Sequence, residues 1–257
     1  MSPLLELRGT GIRFGGLRAV QDLNLALPAG TLHGLIGPNG AGKTTVFNLI
    51  TGIYPPTEGA ILFDGQDLAG RGPTRVAAGG IGRTFQNIRL FAGLTVLENV
   101  KVGLHRHLSA SILEQVLRLP RYWADDRVAD GEARKLLETM GLSHVADLGA
   151  EALPYGLRRR LEIARALATR PKLLLLDEPA AGMNPSEADE LMHLIRFVRD
   201  TFGVTILLIE HHMPVVMGIC ERITVLDHGA RIAEGTPAEI QNDPTVIEAY
   251  LGAPEAE

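Results

Sequence analysis

GPNGAGKT, residues 37–44, fits the pattern G-x-x-x-x-G-K-[ST]. Glycines at 37, 40 and 42 let the backbone curl so that successive N–H groups point inward, a geometry that binds phosphate oxygens. A helix starting near Lys43 would add its positive N-terminal end. In this pattern Lys43 reaches the β- and γ-phosphates and the Thr44 hydroxyl ligates Mg²⁺. An apolar strand precedes the loop and an apolar helix follows it, the context the pattern requires. Gly37, Pro38, Asn39, Gly40, Ala41, Gly42, Lys43, Thr44 and Thr45 are therefore candidate nucleotide contacts.

LLLLDEP, residues 173–179, supplies a second half. A buried strand ending in Asp177 sets a carboxylate at the carboxyl edge of a parallel sheet, where ligands of such folds sit. Asp177 can hold Mg²⁺ there, usually through water, and Glu178 can act on an attacking water. An apolar run followed by two acids is a weak pattern alone. Beside a phosphate cradle it points to nucleotide hydrolysis.

The elements that must carry these groups can be read from periodicity. Residues 4–36 predict three strands, 43–52 a helix stopping at Gly52, and ILF (61–63) and IGRTFQ (81–86) short strands. From about 94 to 170 the texture is helical: TVLENVKVGLHRHL, SILEQVLRL, DGEARKLLETMGL and RRRLEIARALATR all space apolar residues at helical intervals. Alternation then resumes with LLLL (173–176), a helix from Pro185 to about Phe202, VTILLIE (204–210), a helix after His212, strands near ITVLD and ARIAEG, and two short helices. Fully apolar strands alternating with helices imply a parallel sheet covered on both faces.

Composition narrows the class. A net charge of −5 over 257 residues argues against a dedicated nucleic-acid binder. One cysteine, Cys220, excludes an intrachain disulfide and fits a reducing compartment. MSPLLELRG lacks the form of a signal peptide, and runs such as KLLLLD are far short of a membrane span, so a soluble chain is expected, with any membrane role through a partner.

Taken together these residues resemble the nucleotide-binding subunit of ABC transporters over essentially the whole chain. The resemblance implies an α/β fold: a P-loop NTPase ABC-type nucleotide-binding domain with a parallel-sheet core, an antiparallel β subdomain and a helical subdomain. It implies one domain over 1–257, with 1–93 and 171–257 as core and β subdomain and 94–170 as the helical part carrying the signature. ATP and Mg²⁺ are the implied cofactors, with 37–44 as Walker A and 173–178 as Walker B. Gln86 in RTFQNIRLF matches the Q-loop, which contacts Mg²⁺ and couples to membrane subunits; Phe14 in IRFGGL matches the aromatic that stacks on adenine. AAGMNP matches the D-loop, with Asn184 where many relatives have aspartate, and His211 in LLIEHHM matches the switch histidine. The implied catalytic set is Glu178, His211 and Lys43, and the implied metal set Thr44, Gln86 and Asp177.

LPYGLRRRLEIARAL, residues 153–167, reads as a kinked, glycine-bearing turn feeding a basic helix, and it falls where the family has its signature. There Pro154, Tyr155 and Gly156 would cap ATP held on another chain's cradle, two chains packing head to tail. Pro154 replaces the usual serine and Leu157 the usual glutamine, so the site is expected to be altered but working.

YGLRRRLEIARAL, LDEPAAGMNP, LLIEHHMPVVM and EGTPAEIQNDPTVIEAYLG look like the ATP-binding subunit of bacterial branched-chain (hydrophobic) amino-acid importers. That likeness implies a peripheral protein on the cytoplasmic face of the inner membrane. Its partners would be a second nucleotide-binding subunit, the same or related, two integral-membrane permeases and, indirectly, an external solute-binding protein. NIRLFAGLTVLENV would receive the permease's coupling helix. Close relatives carry urea or export lipopolysaccharide, and a weakly hydrolysing scaffold is the other reading that Pro154 and Leu157 keep open.

Overall fold

The computed structural model describes residues 2–107 and 119–251. The chain divides into two compact units, Met1–Arg83 with Lys172–Glu257, and Thr84–Pro171. Residues 84–93, expected in the core, fall in the second unit.

The first unit begins with β1 (Leu5–Phe14), β2 (Leu17–Leu27), β3 (Leu32–Ile36) and α1 (Lys43–Ile50). It continues through β4 (Glu58–Phe63), β5 (Gln66–Asp67), α2 (Pro73–Gly79) and β6 (Ile81–Arg83). β5 and α2 have no counterpart in the sequence reading: β5 is two residues long, and α2 buries only Val76, so neither shows a period. β6 stops at Arg83 rather than continuing to Gln86, because the Phe85 N–H turns from the ladder to the Glu162 carboxylate.

The second unit holds α3 (Val96–Leu104), α4 (Pro120–Thr139) and α5 (Tyr155–Ala168). α3 opens on a capping box in which Thr95 accepts from the Glu98 N–H. α4 starts ten residues earlier than DGEARKLLETMGL suggested, with Pro120 at its first turn, where the missing N–H costs nothing. The SILEQVLRL reading, apart from Leu119, lies outside the described residues.

β7 (Leu173–Asp177), α6 (Pro185–Phe202), β8 (Thr205–Ile209), α7 (Met213–Ile219), β9 (Arg222–Asp227), β10 (Ala230–Gly235), α8 (Pro237–Gln241) and α9 (Pro244–Leu251) complete the first unit. Among the described residues two sheets result, ordered β2-β1-β4-β5 and β10-β9-β3-β8-β7-β6. The first is antiparallel; the second is parallel from β9 to β6, with β10 antiparallel at its edge. All five residues of β3, β7 and β8 are buried, which is why these strands read as continuous apolar runs. One buried cluster takes Leu7 and Leu23 from the first sheet, Phe47 from α1, and Leu175 and Ile209 from the second.

Among these apolar residues sits His33 on β3, 2% exposed, its Nε2 2.8 Å from the Thr224 hydroxyl on β9. Burial pushes its pKa down from 6.5 to about 4, so the folded chain keeps it neutral. The unfolded chain takes up the proton first, and stability drains away as pH falls from 6.5 towards 4. That window is worth about 3 kcal/mol. Urea unfolding at pH 7 and 4.5 should show a smaller acid loss in His33→Gln than in the wild type; equal losses would place the acid sensitivity elsewhere.

Candidate functional site

Parallel pairing sets the site at one edge of the second sheet. Asp177 at the end of β7 pairs with Ile209 at the end of β8, and Ile209 pairs with Leu35 near the end of β3. Gly37, Glu178 and Glu210 therefore leave three adjacent strands on the same side.

The 37–44 loop is shaped for an anion. Gly37 has φ +149° and Gly42 φ +99°, and a Cβ would lie 2.1 Å from Leu226 O at the first and 2.6 Å from Ala19 O at the second. No L side chain fits either place, so the curl requires glycine. Gly42 is the N-cap of α1 and no side chain caps that helix. The N–H groups of Lys43, Thr44 and Thr45 at its first turn are free of intrahelical bonds, as the first turn of any α-helix is. The Lys43 ammonium closes the loop, donating to Gly37 O at 2.7 Å and Pro38 O at 3.0 Å. Burial lowers its pKa, with Glu178 and Asp177 partly offsetting that shift. Both carboxylates are thus close enough to feel its charge.

Asp177 is 5% exposed and takes a charged hydrogen bond from Arg83, 2.9 Å. The same guanidinium donates to Asn48 Oδ1 at 2.8 Å and lies over the Phe47 ring at 5.5 Å, tying β6 and β7 to α1. The sequence reading passed over Arg83 because one arginine at a strand end carries no pattern. Arg83→Met would leave the buried Asp177 charge without this partner. The expected loss is about 3–5 kcal/mol in urea unfolding without nucleotide; a loss below about 1 kcal/mol would show that the pair does not hold the edge together.

Glu178 follows with φ +44°, a left-handed conformation uncommon outside glycine. Its N–H is bound to Ile209 O at 2.9 Å, and its C=O accepts from Ala181 N at 3.2 Å. His211 is exposed, with Nδ1 3.6 Å from Glu178 Oε2. Glu210 holds both in register. It is fully buried and accepts from Ala180 N at 2.7 Å, His211 N at 3.1 Å and His212 N at 3.2 Å. In the sequence it looked like the last letter of an apolar strand, and only its place beside two histidines hinted at more.

Two other expected residues have structural settings of their own. Phe14 is half exposed and meets Tyr54 edge-on, ring centroids 5.1 Å apart. Asn184 is the N-cap of α6 and accepts from Glu187 N, at 3.0 Å, in a capping box.

The second unit carries Gln86, Pro154, Tyr155 and Gly156. Here the structure corrects the expected turn. Tyr155 and Gly156 are the first residues of α5, and Pro154 alone bends, as N-cap with φ −55° and ψ 155°. Gly156 does not take the left-handed turn conformation, and a Cβ there would meet nothing within 4 Å. Proline brings no side-chain oxygen to cap the helix. The three arginines do not form a basic face. Arg158 Nε donates to Leu153 O at 2.8 Å, Arg159 is fully buried, and Arg160 donates to Met140 O at 3.2 Å. Gln86 is exposed, on a groove of about 570 Å³ shared with Asn87, Leu90, Tyr155 and Arg158.

The oxygen donors, those of exposed Thr44 at the start of α1 and of Asp177 at the sheet edge, suit a hard cation such as Mg²⁺, and the curled loop suits phosphate. Sheet, loop and acidic turn define an α/β nucleotide-phosphate cassette. A family model described as "ABC transporter" matches residues 20–181, and one described as "Branched-chain amino acid ATP-binding cassette transporter" matches residues 230–256. The chain belongs to the ABC transporter family and is one of its ATPase cassettes.

Among curated relatives it is similar to the high-affinity branched-chain amino acid transport ATP-binding protein BraF of Pseudomonas aeruginosa. The two are 48% identical over 250 residues, covering 97% of this chain and 98% of the relative. LivG of Escherichia coli, of the same description, is 49% identical over the same shares. The lipopolysaccharide export ATP-binding protein LptB of Escherichia coli is 36% identical, covering 93% of each chain. Among solved structures, a nucleotide-free ATP-binding cassette from an ABC transporter matches with TM-score 0.83 and 33% identity, covering 97% of this chain and 99% of that one. A dimeric post-hydrolysis cassette bound to ADP and Pi matches with TM-score 0.75 and 25% identity, over 91% and 98%. None of the described helices is long and apolar enough to cross a membrane.

Proposed function

We propose that this chain is the ATP-hydrolysing subunit of an importer for branched-chain, hydrophobic amino acids. It would act at the cytoplasmic face of the membrane with a second cassette, two permeases and an external binding protein. The observation that carries the reading is the 48–49% identity to branched-chain amino acid transport ATP-binding proteins over 97% of the chain. The lipopolysaccharide-export relative, at 36%, supports another solute less well.

In this reading the 37–45 loop and Lys43 hold the phosphates of ATP, and Phe14 stacks on the base. Thr44 and Asp177 would hold Mg²⁺, which when bound neutralises charge on the phosphates. Glu178 takes a proton from the attacking water and His211, beside it, steadies the γ-phosphate. Pro154, Tyr155 and Gly156 offer the start of α5 to ATP on a second cassette, so that closing the pair drives the permeases.

Steady-state turnover of the purified chain tests this, with Glu178→Gln as the blank. Turnover should rise more than linearly with protein concentration as two chains complete each other's sites. Strict proportionality would place hydrolysis in single chains and sink the shared-site reading. The solute is tested separately: cells lacking the chain should lose uptake of leucine, isoleucine and valine and regain it on expression. Unchanged uptake would exclude these amino acids.

A further inference from the structure

Residues 84–94 form no helix or strand, yet their backbone polar groups need partners, and side chains of α5 provide them for Phe85, Gln86 and Arg89. Arg159 donates to Phe85 O at 2.9 Å and to Gln86 O at 3.0 Å. Glu162, one helical turn on, accepts from Phe85 N at 3.3 Å and Arg89 N at 3.4 Å with the same oxygen, Oε1. Its other oxygen pairs with Arg159 at 2.6 Å. The side chains of this ion pair are 0% and 1% exposed. The Arg159 guanidinium also reaches the Tyr155 hydroxyl, 3.3 Å, in the first turn of α5.

We propose that Arg159 and Glu162 are positioning residues that lock the Phe85–Arg89 backbone, and with it Gln86, onto the N-terminal half of α5. The segment and the helix start then move as one piece. A buried ion pair is a poor device for stability, since an apolar pair of similar size often serves as well or better. What the charges supply is direction: bonds from one helix to both polar faces of an irregular strand of backbone. Burial pushes the Glu162 carboxyl up, while Arg159 and the two amides pull it back. The groove beside the pair is lined from both sides, by Gln86, Asn87 and Leu90 and by Tyr155 and Arg158. Anything seated there presses on the Gln86 segment and the signature helix together. The consequence for turnover rests on the proposed function; the clamp itself does not.

The test uses the full-length chain and three variants. Glu162→Gln keeps an oxygen for the two amides but turns an NH₂ towards Arg159. Arg159→Lys keeps a charge but cannot span both carbonyls. Arg159→Met with Glu162→Leu removes both charges at similar volume and should fold even if a single variant does not. Hydrogen exchange at Phe85 and Arg89 should speed up about tenfold in the double variant while the cores of the helices keep wild-type rates. The kcat for ATP should fall about fivefold with KM little changed, and Arg159→Lys should recover part of that loss relative to the double variant. Wild-type exchange at both amides would overturn the clamp. So would a uniform rise in exchange through the unit with kcat and KM unchanged, which is the mark of a structural pair only. Exchange reads the clamp whether or not the wild type turns over, so an inactive wild type counts against the proposed function alone.

Discussion

Glu178→Gln is expected to bind ATP normally and to lose turnover by about 100- to 10,000-fold, the range for removing a general base. The substitution preserves shape and polarity and removes only the charge. The backbone that aims the side chain does not depend on that charge. Its left-handed φ of +44° is held by bonds to Ile209 O and Ala181 N, and the neighbouring Ala180 N–H is anchored on the buried Glu210. A fall in kcat with an unchanged dissociation constant for ATP would therefore report lost chemistry, not a collapsed turn. The stalled variant should also accumulate a dimer in ATP, visible by size-exclusion chromatography. Wild-type turnover in Glu178→Gln would take the base role away from this residue and point to His211, 3.6 Å away.

The same edge shows why sequence reveals some of a site and hides the rest. The cradle was legible because its demands are local: Gly37 and Gly42 are the residues that tolerate a φ of +149° and +99° with a backbone oxygen so near. β3, β7 and β8 were legible because burial on both faces leaves an unbroken apolar run. Arg83 and Glu210 were not. Each matters through partners far along the chain, Asp177 for the first and Ala180 for the second, and no spacing records such a meeting. The start of α5 failed for another reason. Proline and glycine together suggest a turn, but proline is well placed just before a helix and Gly156 simply continues it. Residues 84–86 were misread as strand because the partners that claim the backbone of Phe85 and Gln86, Arg159 and Glu162, lie more than seventy residues later.

Lys43→Ala should separate ATP binding from folding. Lys43 is 8% exposed, and its ammonium spends its hydrogen bonds on Gly37 O and Pro38 O, closing the 37–44 loop. Burial disfavours its charge, as its lowered pKa shows, so its removal relieves a desolvation cost while losing two hydrogen bonds. Those effects oppose each other, and unfolding in urea without nucleotide should change by no more than about 1 kcal/mol. ATP binding has no such compensation. A charged hydrogen bond to phosphate is worth about 1.5–3 kcal/mol, which predicts ATP affinity weaker by about 10- to 150-fold in calorimetry. The sign of the pH dependence follows from the charged form being the one that binds. In the wild type, ATP affinity should fall as pH rises into the range where the depressed Lys43 pKa releases its proton; in Lys43→Ala that fall should vanish. Equal affinities and matching alkaline profiles in the two proteins would show that the loop's N–H groups hold the phosphates unaided, and that Lys43 serves only to close the loop.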